Sequence, residues 1–308
     1  MNELSIVMYH YVRPIIESKF PGIKGLEFIG FKRQLDYLNE HFNIVSTEQV
    51  VNACMKGAKL PLNACWLTFD DGYKDHYEFV LPELVNRNLH GAFFPPRVAI
   101  EENVLLDVNS IHHILSCVTD LNDLVYNLNE CCRIAGISEN KISSFHEEFA
   151  VANKFDNANT IYVKRMLQYA LPEELRNEIT KKLFKDFVGI SAEEFSQELY
   201  MSVDEIRKLI DNGMYVGSHG SMHYWLDKIS AAEQENDIKR SLEFLEHVGS
   251  NTINWVMCYP YGAYNDETLS ILGNYQASVG ITTKNRIANL ETDNPFKLPR
   301  LNTNDFPQ

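Results

Sequence analysis

Apolar positions along the chain follow two rhythms. Residues 5–9, 65–69, 214–217 and 254–258 are short β-branched or aromatic runs with the length of buried strands. Each is followed at once by polar residues and a turn: His10, Asp70-Asp71-Gly72, Ser218-His219 and Tyr259-Pro260-Tyr261-Gly262. Amphipathic stretches such as 31–42 and 77–86 lie between them, so strands and helices alternate and a parallel sheet is expected. Reactive residue types standing repeatedly just past strand ends suit a β/α barrel with its site on the carboxyl face. An open doubly wound sheet also places a site at its strand ends, so the pattern alone leaves closure open.

The middle of the chain changes character. Residues 107–200 are rich in Leu, Glu, Lys and Asn and carry no comparable strand pattern. Within them 160–188 reads as two helices, the second started by Leu171-Pro172-Glu173-Glu174. The expected organisation is one α/β domain, 1–308, in which barrel segments 1–106 and 201–308 flank a mainly helical insertion at 107–200. Because the insertion enters between strands whose ends bear reactive residues, it is expected to take part in substrate selection. The alternative is a separate helical domain that never meets substrate.

Composition narrows the partners. With 308 residues, 45% hydrophobic and 23% charged, the chain can bury a sizeable core. A formal charge of -14 gives no general attraction to phosphate backbones or anionic lipid, so nucleic acid is not an expected partner. No apolar run approaches the roughly 18 residues that span a bilayer. The first residues lack the basic region and long apolar stretch of a signal peptide, so the expectation is a cytoplasmic protein without a membrane span. Cys54, Cys65, Cys117, Cys131, Cys132 and Cys258 form no C-x-x-C pair and read as reduced, packed thiols.

Two clusters carry chemistry. Thr68-Phe69-Asp70-Asp71-Gly72 sets adjacent carboxylates at a strand end, where they repel unless a cation or a shared proton relieves them. Alone, the string is also ordinary turn chemistry. His219-Gly220-Ser221-Met222-His223 offers two imidazoles that converge on one metal if the segment turns helically; alone, it also reads as a surface loop. Asp71, His219 and His223 together supply two nitrogens and one oxygen and leave a position open, as catalytic zinc sites do. A structural site would favour thiolates.

These two motifs, followed by Tyr259-Pro260-Tyr261-Gly262, resemble the polysaccharide deacetylase family, carbohydrate esterase family 4, which shares the nodulation-factor deacetylase homology domain. The resemblance covers residues 1–100 and 201–308 and is closest to members associated with surface-polysaccharide synthesis. It implies a distorted, incomplete β/α barrel, with Asp70 as catalytic base and Asp71, His219 and His223 as ligands of a divalent metal, zinc being the expected ion. It implies that the Tyr261 main-chain N–H serves the oxyanion, although the Tyr261 side chain can equally form a wall. The implied reaction removes an N-acyl group, foremost N-acetyl, from an amino sugar in a glycan, lipid-linked or nucleotide-linked form. The chemistry agrees: neutral water attacks amides slowly, and a base together with a Lewis acid overcomes this. Hydrolysis of an N-formyl sugar or a ureide, and a non-catalytic carbohydrate-binding barrel, are the alternatives.

The sequence departs from the family pattern twice. Cys258 stands where the family usually has an Arg that holds the base, and no histidine follows His247 to act as the acid. His10 is expected to take the acid's place, since it should emerge on the same face as Asp70. Arg300, in Leu298-Pro299-Arg300-Leu301-Asn302, lies in a final short strand and is expected to hold Asp70, a planar guanidinium being suited to this. The other reading of Arg300 is a surface residue paired with an acidic side chain. His76 is expected to be structural, and His112-His113 a helix-surface feature.

Overall fold

A computed structural model describes residues 2–153 and 156–308. Its strands are β1 (Glu3–Tyr9), β2 (Val12–Arg13), β3 (Leu26–Glu27), β4 (Asn43–Ile44), β5 (Ala64–Asp70), β6 (Ala92–Phe94), β7 (Tyr215–Val216), β8 (Trp255–Cys258), β9 (Ala277–Ile281), β10 (Ala288–Asn289) and β11 (Leu301–Asn302). The main sheet runs β10-β1-β5-β6-β7, with β11 on β1 and β4 on β5. From β1 through β7 the pairs are parallel, aligning Leu4 with Ala64, Thr68 with Ala92 and Ala92 with Tyr215. All seven residues of β5 are buried, so this strand reads as a continuous apolar run because both its faces are covered.

β8 and β9 form a separate parallel pair, joined to the main sheet at two narrow seams. At the first, Ser218 N–H donates to Val256 O (3.1 Å) and Cys258 N–H to Ser218 O (2.8 Å). At the second, Thr282 N–H donates to Leu298 O and Leu298 N–H to Gly280 O, both at 2.9 Å. The chain beyond Leu298 then pairs with β1, Val7 lying beside Leu301. The interior is nevertheless shared: Leu4, Ile6, Trp66, Phe94, Val256, Val279, Ile281 and Leu298 belong to one buried cluster. Strands from both sheets thus surround one core, which makes this a distorted, incomplete barrel and answers the question the alternation left open. On the other face Tyr9 stacks on Phe69 (4.9 Å) and Phe69 on Phe93 (4.8 Å), with Phe31 of helix Phe28–His41 edge-on to Tyr9.

The four strands expected from the sequence appear as β1, β5, β7 and β8. The stretch expected as one helix at 77–86 is a π-helical turn, His76–Val80, continued by helix Leu81–Asn86. No helix among the described residues is long and apolar enough to cross a membrane.

The chain divides into two compact units, one of Met1–Pro14, Gly25–Asn103 and Gln197–Gln308, the other of Ile15–Lys24 and Val104–Ser196. The second unit is helical, built largely from Asp107–Cys117, Leu121–Ile134, Glu139–Phe149, Ala158–Arg165 and Glu173–Val188, and holds no strand among its described residues. Ile111, Ile114, Leu124, Leu128, Leu183 and Phe184 are buried there. His113 corrects an expectation: it is buried, not on the helix surface, with its ring against Phe195 (4.5 Å) and its Nδ1–H donating to Asn109 O (2.8 Å). Helix Asp107–Cys117 turns positions 110, 111, 113 and 114 inward at helical spacing, which carries one histidine of the pair into the core.

The passage from β7 to the first seam is tight. A Cβ on Gly217 would lie 2.6 Å from a ring carbon of Phe94. Gly217→Ala is therefore expected to destabilise the fold by about 1–3 kcal/mol through overpacking. Chemical denaturation would show it as a lowered midpoint, and an unchanged midpoint would mean that Phe94 yields freely.

Candidate active site

Asp70 ends β5 and continues the inward row of Ala64, Trp66 and Thr68. The chain then turns through two left-handed residues, Asp71 (φ 70) and Gly72 (φ 70). A Cβ on Gly72 would stand 2.8 Å from Pro95 Cβ, so the turn depends on glycine. The second cluster follows the first seam. Gly220 (φ 71) passes the Asp237 carboxylate, which accepts the N–H groups of Ser221 (2.9 Å) and Met222 (2.7 Å). Arg97 Nε donates to Ser221 Oγ (2.7 Å), so the loop is held from two directions. His223 (φ 57) and Tyr261 (φ 58) share the left-handed backbone of Asp71. Non-glycine residues other than Asn seldom adopt it, and these three meet at one centre.

Asp71 Oδ1 lies 3.3 Å from His219 Nε2 and 3.4 Å from His223 Nε2, and all three side chains are buried. Their ligand atoms fall within 4.8 Å of one another. His219 Nδ1–H donates to Cys258 O (2.7 Å), which fixes the tautomer and leaves Nε2 facing Asp71. Burial opposes charge on Asp71, yet the two imidazoles hold its carboxyl well below the usual range. Burial likewise works against the charged form of both histidines; it prevails at His223, whereas Cys258 and Asp71 keep His219 well above its ordinary value. Three groups that can each bind a proton or a cation thus face one another in a buried space, and a divalent cation held there would keep both imidazoles neutral. Two imidazole nitrogens and one carboxylate oxygen suit zinc-like ions.

Beside this cluster Arg300 and Asp70 form a buried pair. Arg300 Nη1 donates to Asp70 Oδ1 (2.8 Å) and Nη2 to Oδ2 (2.7 Å), while Nε donates to Thr282 O (2.9 Å) and Nη1 reaches Thr68 Oγ1 (3.2 Å). Burial would raise the Asp70 carboxyl, but the guanidinium brings it down to about 2. Cys258 supplies a weaker contact, its Sγ–H donating to Asp70 Oδ1 (3.3 Å). The guanidinium is thus the partner of Asp70 that the sequence led one to expect, and not a surface group.

Asp70, His219 and Cys258 make a second group with ligand atoms within 4.8 Å. It suits a cation less well, because Arg300 already occupies both Asp70 oxygens and burial pushes the Cys258 thiol up. His10 lies on the Asp70 side, Nε2 3.8 Å from Oδ2, with 42% of its side chain exposed. His76 is buried, and its Nε2–H donates to His10 O (2.9 Å), which anchors the backbone of His10. The Tyr261 ring lies between Trp225, stacked at 4.2 Å, and His223, edge-on at 4.8 Å. Tyr73, Arg97, Trp225 and Asp237 were not singled out from the sequence. Tyr73, two positions from Asp71, and Trp225, two from His223, lay beside the motifs; Arg97 and Asp237 carried no local signal.

Among family profiles, that of polysaccharide deacetylase matches residues 175–280, a span that includes His219, His223 and 259–262. Over that third of the chain the sequence is similar to the polysaccharide deacetylase family. Three solved structures share the fold. Deacetylase PplD of Streptococcus pyogenes, solved with acetate, aligns at TM-score 0.59 and 18% identity over 97% of this chain and 92% of its own. IcaB of Ammonifex degensii aligns at 0.56 and 18% over 98% and 91%. A de-N-acetylase of Aggregatibacter actinomycetemcomitans aligns at 0.54 and 16% over 98% and 95%. Comparison with curated protein sequences returned no match.

The buried pair makes a prediction. Arg300→Met is expected to lower turnover by about 10²-fold with metal content unchanged, because a buried carboxylate loses its partner. Burial then acts on Asp70 against His10 and His219 alone and raises its pKa, so the acidic limb of the pH–rate profile should move to higher pH. Unaltered turnover together with an unmoved limb would remove Arg300 from the reaction.

Proposed function

We propose that this chain is a zinc-dependent hydrolase that removes the N-acetyl group of an acylated amino sugar, with Asp70 as base and Asp71, His219 and His223 as metal ligands. The observation that carries the reading is the convergence of two imidazoles and one carboxylate beside a second carboxylate that is fixed and ionised. The words deacetylase and de-N-acetylase attached to similar folds, and the acetate bound to one of them, support an acetyl amide as the target.

A carboxylate held at about 2 is ionised at every physiological pH and is a weak base toward ordinary water. A divalent ion at the neighbouring ligands would supply what is missing, raising the acidity of a water and polarising the acyl carbonyl. Asp70 takes the proton, and Arg300 keeps its carboxylate from rotating away. The N–H of Tyr261 is assigned to the developing oxyanion, where a preorganised donor is most effective. His10 is assigned the proton delivered to the departing amine; its partial exposure and its place 3.8 Å from Asp70 support this. The Trp225–Tyr261 stack beside His223 supports a flat apolar wall for acyl group or sugar.

The test is incubation of zinc-loaded protein with N-acetylated amino sugars in free, oligomeric, nucleotide-linked and lipid-linked form, and with N-formyl counterparts, followed by detection of free acid. Acetate release from at least one class is expected; release of formate alone would transfer the reading to a deformylase. Asp71→Ala should lose metal and activity together. Asp70→Asn should keep the metal and lose activity by about 10²-fold or more, and a fully active Asp70→Asn would place the base elsewhere.

A further inference from the structure

We propose that Tyr73 is a positioning residue that restricts Asp71 to one ligating oxygen. The inference rests on the metal site proposed above and concerns how that site is kept open. Asp71 presents Oδ1 to His219 and His223, at 3.3 and 3.4 Å. Its other oxygen, Oδ2, accepts the phenolic O–H of Tyr73 at 2.5 Å. That bond uses the oxygen that a carboxylate would otherwise turn toward a cation to chelate it. With Oδ2 engaged, the protein contributes three ligand atoms, and the coordination positions needed by water and by the acyl oxygen stay free.

The phenol itself is fixed. Tyr73 is fully buried, its ring stacks on Tyr11 at 4.2 Å with 22° between planes, and Tyr200 lies parallel to it at 6.2 Å. Backbone contacts hold the same segment, since Tyr73 bridges Tyr200 and Met201 N–H donates to Gly72 O (3.0 Å). A ring clamped in this way cannot follow the carboxylate if it rotates, so the hydrogen bond selects one orientation of Asp71. The left-handed backbone at Asp71 brings that side chain between the two histidines and the phenol. Hydrogen bonds to metal ligands from such outer partners commonly matter about 10- to 100-fold in affinity or activity.

Tyr73→Phe removes only the hydroxyl and keeps the ring against Tyr11 and Tyr200. The experiment titrates cobalt into metal-free wild-type protein and Tyr73→Phe, reading the dissociation constant and visible spectrum of bound cobalt; thermal unfolding of the metal-free proteins checks that both are folded. The expected result is a dissociation constant altered by about 10-fold or more and weaker visible absorption, as a released Oδ2 adds a ligand and coordination rises. A matching loss in kcat, larger than any change in KM, should accompany it. Equal constants and superimposable spectra in two folded proteins would overturn the role of Tyr73 while leaving the metal site standing. Failure of the wild type itself to bind cobalt would instead remove the metal site, and the proposal for Tyr73 with it.

Discussion

The arrangement depends first on the contact between Arg300 and Asp70. A carboxylate and a guanidinium buried together pay heavily in lost hydration, and the pair holds only when its hydrogen bonds are nearly complete. Here both carboxylate oxygens are met, and three guanidinium nitrogens reach Asp70, Thr68 and Thr282. Arg300 sits between the second seam and β11, so the pair ties this last segment to the carboxyl end of β5 across β1. Closure of the incomplete barrel and orientation of Asp70 are thus one interaction. Cys258 stands where the resemblance to polysaccharide deacetylases implied an arginine, and the segment before the last strand supplies the guanidinium instead.

Around this pair the molecule keeps several residues in unfavourable backbone. Asp71, His223 and Tyr261 lie in the left-handed region, each next to a tight turn or loop held by others. Asp237 and Arg97 fix the loop of His219 and His223, Gly72 permits the turn after β5, and Tyr73 donates to Oδ2 of Asp71. Strain of this kind persists only where the surroundings over-determine it, which is why the supports come from distant parts of the chain.

That distance also explains what could be read from the sequence. The strands and reactive residues next to them were legible because a run of apolar residues and the polar step after it are local. β6, three residues long, and β9, with Ala, Ser and Gly among its five, show no such rhythm. Arg97 and Ser221 are separated by 124 positions, and nothing local marks either as a support for the histidine loop. Arg300 was found only because family resemblance left the base without a partner, 230 positions away. The segment Ile15–Lys24 joins the helical unit through packing that no periodicity announces.

The central claim is that one divalent ion sits between Asp71, His219 and His223 and not between Asp70, His219 and Cys258. X-ray absorption at the zinc edge of the reconstituted protein separates the two, because only the second set contains sulfur. The account predicts a first shell of nitrogen and oxygen alone at about 2.0–2.2 Å, with imidazole scattering from two histidines. A sulfur scatterer at about 2.3 Å would contradict it.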